Sequence, residues 1–366
     1  MVEESREQTA DSTPRRTGIA PIAIGVILAF IGAVGAVAVL RVDSWGENGN
    51  RLPDRFEFDV ADVTAVDPAL VTYSEVGQVP LAMAKVEAIA TGVEGQFLVA
   101  GDRSVRTFRS DGTAGPAIPL SGEPKCLAVA GADHRFPGRL YVGFDSQVEV
   151  FDAEGTSLSS WSQGLDDRSL LTSLAVFEDS IFAADAGNRV VLRWDLEGRL
   201  IETIGRADPE NNVLGFIIPS PHFDIAIPAD GVLRVANPGV RRIEAYTLDG
   251  DLLGHWGEAS SQIEGFFGCC NPSNFAMLAD GGFVTAEKGI PRIKVYSAQG
   301  QFQSVVATPQ TLVPGLTIGQ EIRDDHAVGV FDVAVDTSGR VLVLDPNKRQ
   351  VRIFERKDRG GSNDAG

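Results

Sequence analysis

From about residue 80 onward, apolar and polar positions alternate in short runs broken by turns, and the runs recur as one unit. Each unit reads as an apolar strand with a central alanine, a turn, a second strand, a polar loop and a third strand ending near Asp-Gly. The first strands are marked by Ala88, Ala128, Ala175, Ala226, Ala276 and Ala334. The third strands run Val105–Phe108, Val148–Phe151, Val191–Trp194, Ile243–Tyr246, Ile293–Tyr296 and Val351–Phe354. Asp111-Gly112, Glu154-Gly155, Glu197-Gly198, Asp249-Gly250 and Gln299-Gly300 follow five of them. Self-similarity at about 40–50 residues signals a propeller or a solenoid. A period of two inside each unit is a strand signal and excludes the helical arrays.

Most units carry a fourth strand after Asp-Gly: Leu158–Trp161, Leu200–Ile204, Leu252–Trp256 and Phe302–Val306. Four strands per unit make a propeller blade. The pattern therefore predicts an all-β, six-bladed β-propeller over 70–357. The last unit stops after its third strand, which would leave an exposed edge. Leu70–Val76 precedes the first unit and belongs to none, so it is predicted to complete the sixth blade.

The units resemble the NHL repeat family of propellers. The resemblance is carried by Ile225-Ala226-Ile227, Asp230-Gly231, Leu233–Asn237, Arg242-Ile243 and Tyr246. A second copy is Leu174-Ala175-Val176, Ile181–Asp185, Gly187–Val190 and Trp194; a third is Val333–Asp336, Gly339, Val341–Asp345, Asn347 and Val351–Phe354. It covers roughly residues 80–356 and implies the fold. Propellers serve as binding modules and enzymes alike, so it does not imply one activity.

The N-terminal part has a different composition. Residues 18–40 carry no charge, and a helix needs about 20 apolar residues to span a bilayer. The segment is read as an uncleaved transmembrane anchor, although Ala36-Val-Ala38 also fits a cleavage motif. Arg15-Arg16 before it, against Arg41 after it, keep a tail of residues 1–17 cytoplasmic and place the propeller outside the cytoplasm. Gly25, Ala29, Gly32 and Ala36 share a helical face that permits self-association. Residues 41–69 read as a tether and 358–366 as a disordered tail. The net charge of −18 disfavours nucleic acid as a partner. Three cysteines do not make a disulfide framework.

Two places carry candidate chemistry. Gly215–Ala226 and Gly265–Ala276 align without a gap, and Cys269-Cys270 lie in the second of these stretches. With Asn271, His222 on the neighbouring blade and Glu287-Lys288 in a nearby loop, they form a candidate ligand or partner site at the channel rim. The pair reads as packed thiols, a vicinal disulfide, or a soft-metal or redox site. The second place is the channel wall. Two residues before each strand alanine come Val86, Cys126, Ser173, Asp224, Asn274 and Asp332, and residues two apart on a strand share a face. Asp224, Asn274 and Asp332 are candidate ligands for Ca²⁺ or another divalent metal, against the alternative of a water-filled polar channel. Asp102, Asp145, Asp185 and Asp345 read as turn formers. His134, His222, His255 and His326 make no metal motif, and His326 falls near the rim.

These features predict a non-catalytic binding or scaffold module using its channel face, with an envelope protein or a small molecule as its ligand. One alternative is an enzyme, since propellers of similar build include metal-dependent lactonases and the lyase acting on glycine-extended peptides. Another is an accessory of a membrane redox complex using Cys269-Cys270.

Overall fold

The computed structural model describes residues 25–34, 63–208, 210, 213–315 and 329–357. It divides into two units, residues 1–58 and 59–366. In the first unit, residues 25–34 form an exposed helix. Among the described residues no helix is long and apolar enough to cross a membrane. The rest of the expected anchor at 18–40, and the tail at 358–366, lie outside the described residues.

The second unit holds six four-stranded antiparallel sheets among the described residues. Five are sequential hairpins. Blade 1, for example, is Ala88–Thr91, Phe97–Gly101, Ser104–Phe108 and Ala114–Pro119. The second strands are the most deeply covered, and Val341–Asp345 is buried at every position. Side chains on both faces of such a strand meet a neighbouring blade, so the run reads as continuously apolar rather than alternating.

The sixth sheet contains Asp332–Val335, Val341–Asp345 and Gln350–Arg356, and its outer strand is Tyr73–Pro80. Tyr73 pairs with Arg356 and Pro80 with Gln350, with a register shift between Glu75 and Gly77. The expected closure is thus formed, a few residues further along than Leu70–Val76. Glu75 pairs with the buried Arg352 at 2.5 Å across this seam. The chain before it is also packed: Val63 and Thr64 are buried, and the Arg292 guanidinium donates to the Val63 carbonyl at 3.4 Å. The C-terminal end of the 41–69 segment therefore lies against the propeller.

The Asp-Gly turns do more than reverse the chain. Gly198 has φ 81°, and a Cβ there would run into the Trp161 ring of the preceding blade. Gly112 has φ 84° and presses on Val79 in the closing strand in the same way. Only glycine takes this conformation and this proximity without strain. The Gly112–Val79 contact puts Tyr73–Pro80 in the role that outer strands play in the other blades.

The pairing corrects one sequence expectation. Ala88 pairs with Ala100, as Cys126 pairs with Gly143, Asn274 with Ala286 and Asp332 with Leu344. Ala88, not Val86, therefore holds the channel-wall position of blade 1, and Ala90 is the counterpart of Ala128 and Ala276. Ala88 and Ala90 lie two apart on one face, so periodicity alone fits either register; pairing with Phe97–Gly101 selects one.

Candidate functional site

The inner strands enclose a channel of about 700 Å³. Its wall includes Ala88, Cys126, Ser173, Asp224, Asn274 and Asp332. All inner strands begin at the same end. There the channel is bordered by Glu87, Lys125 and His222, whereas Val129, Val176, Met277 and Val335 give the other end an apolar border. Glu87 is paired with Lys85 at 2.5 Å, and Lys125 lies 3.7 Å from Asp145.

The polar wall residues of blades 3 to 6 each reach the next blade. Asp224 accepts from Ile225 N at 2.9 Å and, with its other oxygen, from Phe275 N on blade 5 at 2.7 Å. Asp332 accepts from Val333 N at 2.8 Å and from Ile89 N on blade 1 at 2.9 Å. Phe275 and Ile89 each follow the wall position of their own strand, so the two carboxylates make the same contact at different seams. Ser173 Oγ accepts from Ile225 N at 3.3 Å, and Asn274 Nδ2 donates to the Phe331 carbonyl at 2.9 Å.

Burial is the main cause of the unusual acidities here. It raises Asp224 to about 6 against the hydrogen bonds from Ser173, Phe275 and Ile225. It raises Asp332 to about 7, with further upward pressure from the Asp224 charge. Burial, followed by the Asp224 charge, pushes the Cys126 thiol far up, which makes it inert.

The oxygens proposed for a hard cation also serve the seams between blades. Calcium takes about six to eight oxygen ligands. Each oxygen of Asp224 and Asp332 already accepts one backbone amide, and Asn274 Nδ2 donates to the Phe331 carbonyl, a bond in which its Oδ1 takes no part. Among the described residues, no group of three or more His, Cys, Asp or Glu side chains is arranged to hold a metal.

The structure divides the residues expected at the rim. His222, Asp224, Asn274 and Asp332 line the channel; Cys269, Cys270, Asn271, Glu287 and Lys288 do not. Cys269 is exposed and Cys270 buried, with both thiols free and their sulfurs 3.2 Å apart. Asn271 is a buried latch: Nδ2 donates to the carbonyls of Phe267 at 2.6 Å and Lys288 at 3.0 Å, and Oδ1 accepts from Lys288 N at 2.8 Å.

Glu287 is not at a binding surface. It is 1% exposed and bridges Arg292 at 2.6 Å and Lys294 at 2.8 Å. Lys294 also donates to the carbonyls of Ile263 at 2.9 Å and Gly265 at 2.6 Å. Burial lowers Lys294 to about 8, against the opposing pull of Glu287. This buried triad escaped sequence reading, although Arg292 and Lys294 stand two apart on one strand face.

Asp185 and Asp345 end second strands and fold the turns that follow. Asp185 Oδ1 accepts from Gly187 N at 3.0 Å and Asn188 N at 3.1 Å, and Asp345 Oδ1 from Asn347 N at 3.1 Å and Lys348 N at 3.0 Å. His255 lies on the outer strand Leu252–Trp256, and His326 falls outside the described residues.

The fold defines the class of the protein: a six-bladed β-propeller closed by its own N-terminal strand. No protein-family model matches the chain, and no curated protein does. Solved structures with the same fold include the WD40 propeller domain of Doa1 (TM-score 0.52, 11% identity, covering 79% of this chain and 98% of that one). A streptogramin B lyase aligns with TM-score 0.52 and 11% identity over 79% of this chain and 99% of its own. A protein of unknown function from Bacteroides thetaiotaomicron aligns with TM-score 0.54 and 14% identity, over 77% and 75%. At these identities the likeness is one of fold.

Proposed function

We propose that this chain is a non-catalytic binding propeller of NHL type, held at the outer face of a membrane by residues 18–40. Its ligand, a small molecule or a segment of an envelope protein, enters the channel at the end bordered by Glu87, Lys125 and His222. One observation carries this reading: the two carboxylates of the channel wall and their polar neighbours are engaged in joining blades. Asp224, Asp332, Ser173 and Asn274 all hydrogen-bond to the next blade. The channel thus offers a shaped cavity with one charged end and one apolar end, as ligand sites commonly do. The lyase and the WD40 domain that share the fold illustrate both of its uses, and the commitment of the wall favours the binding one.

The test is a thermal-shift screen of small polar and amphipathic ligands on the purified chain, repeated on Lys125→Glu and His222→Ala variants. Ligands that raise the melting temperature of the wild type and lose that effect in both variants support the proposal. Substrate turnover abolished by Asp224→Asn or Asp332→Asn would replace it with an enzyme. For the anchor, release of the chain from membranes by alkaline carbonate would remove the membrane part of the reading.

A further inference from the structure

Outside the channel, the loop Phe267–Asn271 presents a feature that the binding reading does not use. The Cys269 and Cys270 sulfurs are 3.2 Å apart, one exposed and one buried. Asn271 fixes the loop through three hydrogen bonds to Phe267 and Lys288. An accessible sulfur next to a shielded one on a fixed loop is the arrangement of an attacking thiol beside a resolving thiol. The third cysteine, Cys126, is buried in the channel wall and takes no part.

We propose that Cys269 and Cys270 form a redox-modification site that exchanges with small-molecule disulfides. The Cys269 thiolate attacks one sulfur of the incoming disulfide, forming a mixed disulfide and releasing one thiol. Cys270 then attacks the Cys269 sulfur, the Cys269–Cys270 bond forms, and the second thiol leaves. The disulfide is reduced to two thiols, which take up the two protons from the cysteines, and the cysteine pair is oxidised.

The bond is readily reversed. Neighbouring Cα atoms are about 3.8 Å apart across a trans peptide, shorter than the usual disulfide span of roughly 4.4–6.8 Å. Strained disulfides are the labile ones. Hydrogen bonding to Cys270 raises the Cys269 pKa, while the Lys288 ammonium opposes the rise, so the exchange accelerates at mildly alkaline pH.

Reduced full-length protein is incubated with oxidised glutathione at mildly alkaline pH, quenched with acid and examined by intact and peptide mass spectrometry. The wild type is expected to lose both thiols of the pair, retain no glutathione and recover both thiols with dithiothreitol. Cys270→Ser should trap glutathione on Cys269, Cys269→Ser should leave Cys270 unmodified, and Cys126→Ser should behave as the wild type. Stable glutathione on Cys269 of the wild type, or an unreacted pair, overturns the proposal. The wild-type measurement decides the matter even where a serine variant fails to fold.

Discussion

The Asp332 carboxylate accepts the Ile89 amide at 2.9 Å, joining the last blade to the first across 243 residues of chain. Asp224 makes the equivalent bond to Phe275 between blades 4 and 5. In a ring, the seams between blades are held largely by side-chain packing and by such bonds, with few backbone pairs such as Leu171 N to the Asp145 carbonyl.

Replacing Asp332 with alanine leaves the Ile89 and Val333 amides without their acceptor. A buried donor deprived of its partner costs roughly 1–3 kcal/mol. Asp332→Ala and Asp224→Ala should therefore each lower unfolding stability by roughly 1–3 kcal/mol in urea titrations at pH 5, where burial of the charge costs least. Lys125→Ala, at the channel border, should change it by less than about 0.5 kcal/mol.

The same two carboxylates set a pH dependence. Their folded values, about 6 for Asp224 and about 7 for Asp332, lie above the ordinary carboxylate value. The folded chain thus holds protons that the unfolded chain has already released. The stability from this source is fully present below about pH 4 and is lost as pH rises through 6 to 7. Each group adds a slope of up to about 1.4 kcal/mol per pH unit within that window. Stability measured from pH 7.5 down to pH 5 should therefore rise in the wild type. Asp332→Asn should flatten the slope whatever its effect on absolute stability. A wild-type slope unchanged in both Asp332→Asn and Asp224→Asn would refute this assignment.

The closing strand leads to a topological prediction. Tyr73 lies opposite Arg356 in an antiparallel pair, so the end of one strand faces the start of the other. A short turn after Lys357, followed by residues 72–80, should supply the sixth blade as an ordinary hairpin. A chain permuted in this way, starting near Met83, is expected to fold with cooperative unfolding. Deleting Tyr73–Pro80 without replacement removes the Glu75–Arg352 pair and bares the edge of Gln350–Arg356, and should abolish that cooperativity. Retention of wild-type melting by the deletion would contradict the closure.

The architecture was legible because its devices repeat: a small residue on each inner strand, an aromatic ending most third strands, a glycine where each turn meets the preceding blade. The missing fourth strand of the last unit was equally informative, since an unpaired edge requires a partner. The limits appear where a local pattern permits two answers. Ala88 and Ala90 satisfy the same periodicity, and only pairing with Ala100 separates them. Glu287 ends its strand in the same register as Asp185 and Asp345 and is buried like them, yet it meets Arg292 where they meet Val190 and Gln350, and so forms an ion pair. Asn271 and Lys288, read as part of one site at the channel rim, are hydrogen-bonded to each other, and neither they nor Cys269 line the channel.

The buried triad supports the last prediction. Glu287 neutralises two cations that have almost no access to water: Arg292 is 1% exposed and Lys294 0%. Removing the shared anion strands both, and breaking a buried pair in this way costs about 3–5 kcal/mol. Removing Lys294 instead leaves the Glu287–Arg292 pair at 2.6 Å intact and deprives only the Ile263 and Gly265 carbonyls of their donor. Lys294→Met should thus cost less, roughly 1–3 kcal/mol, because its apolar chain can lie against Phe266 and Tyr296. The order of melting temperatures should be wild type, then Lys294→Met, then Glu287→Ala. Adding Lys294→Met to Glu287→Ala should recover part of the loss, since one of the two stranded charges is gone. A double variant less stable than Glu287→Ala would show that the carbonyl contacts of Lys294 outweigh its charge, and that the triad is held together by the loop Ile263–Gly265 rather than by Glu287.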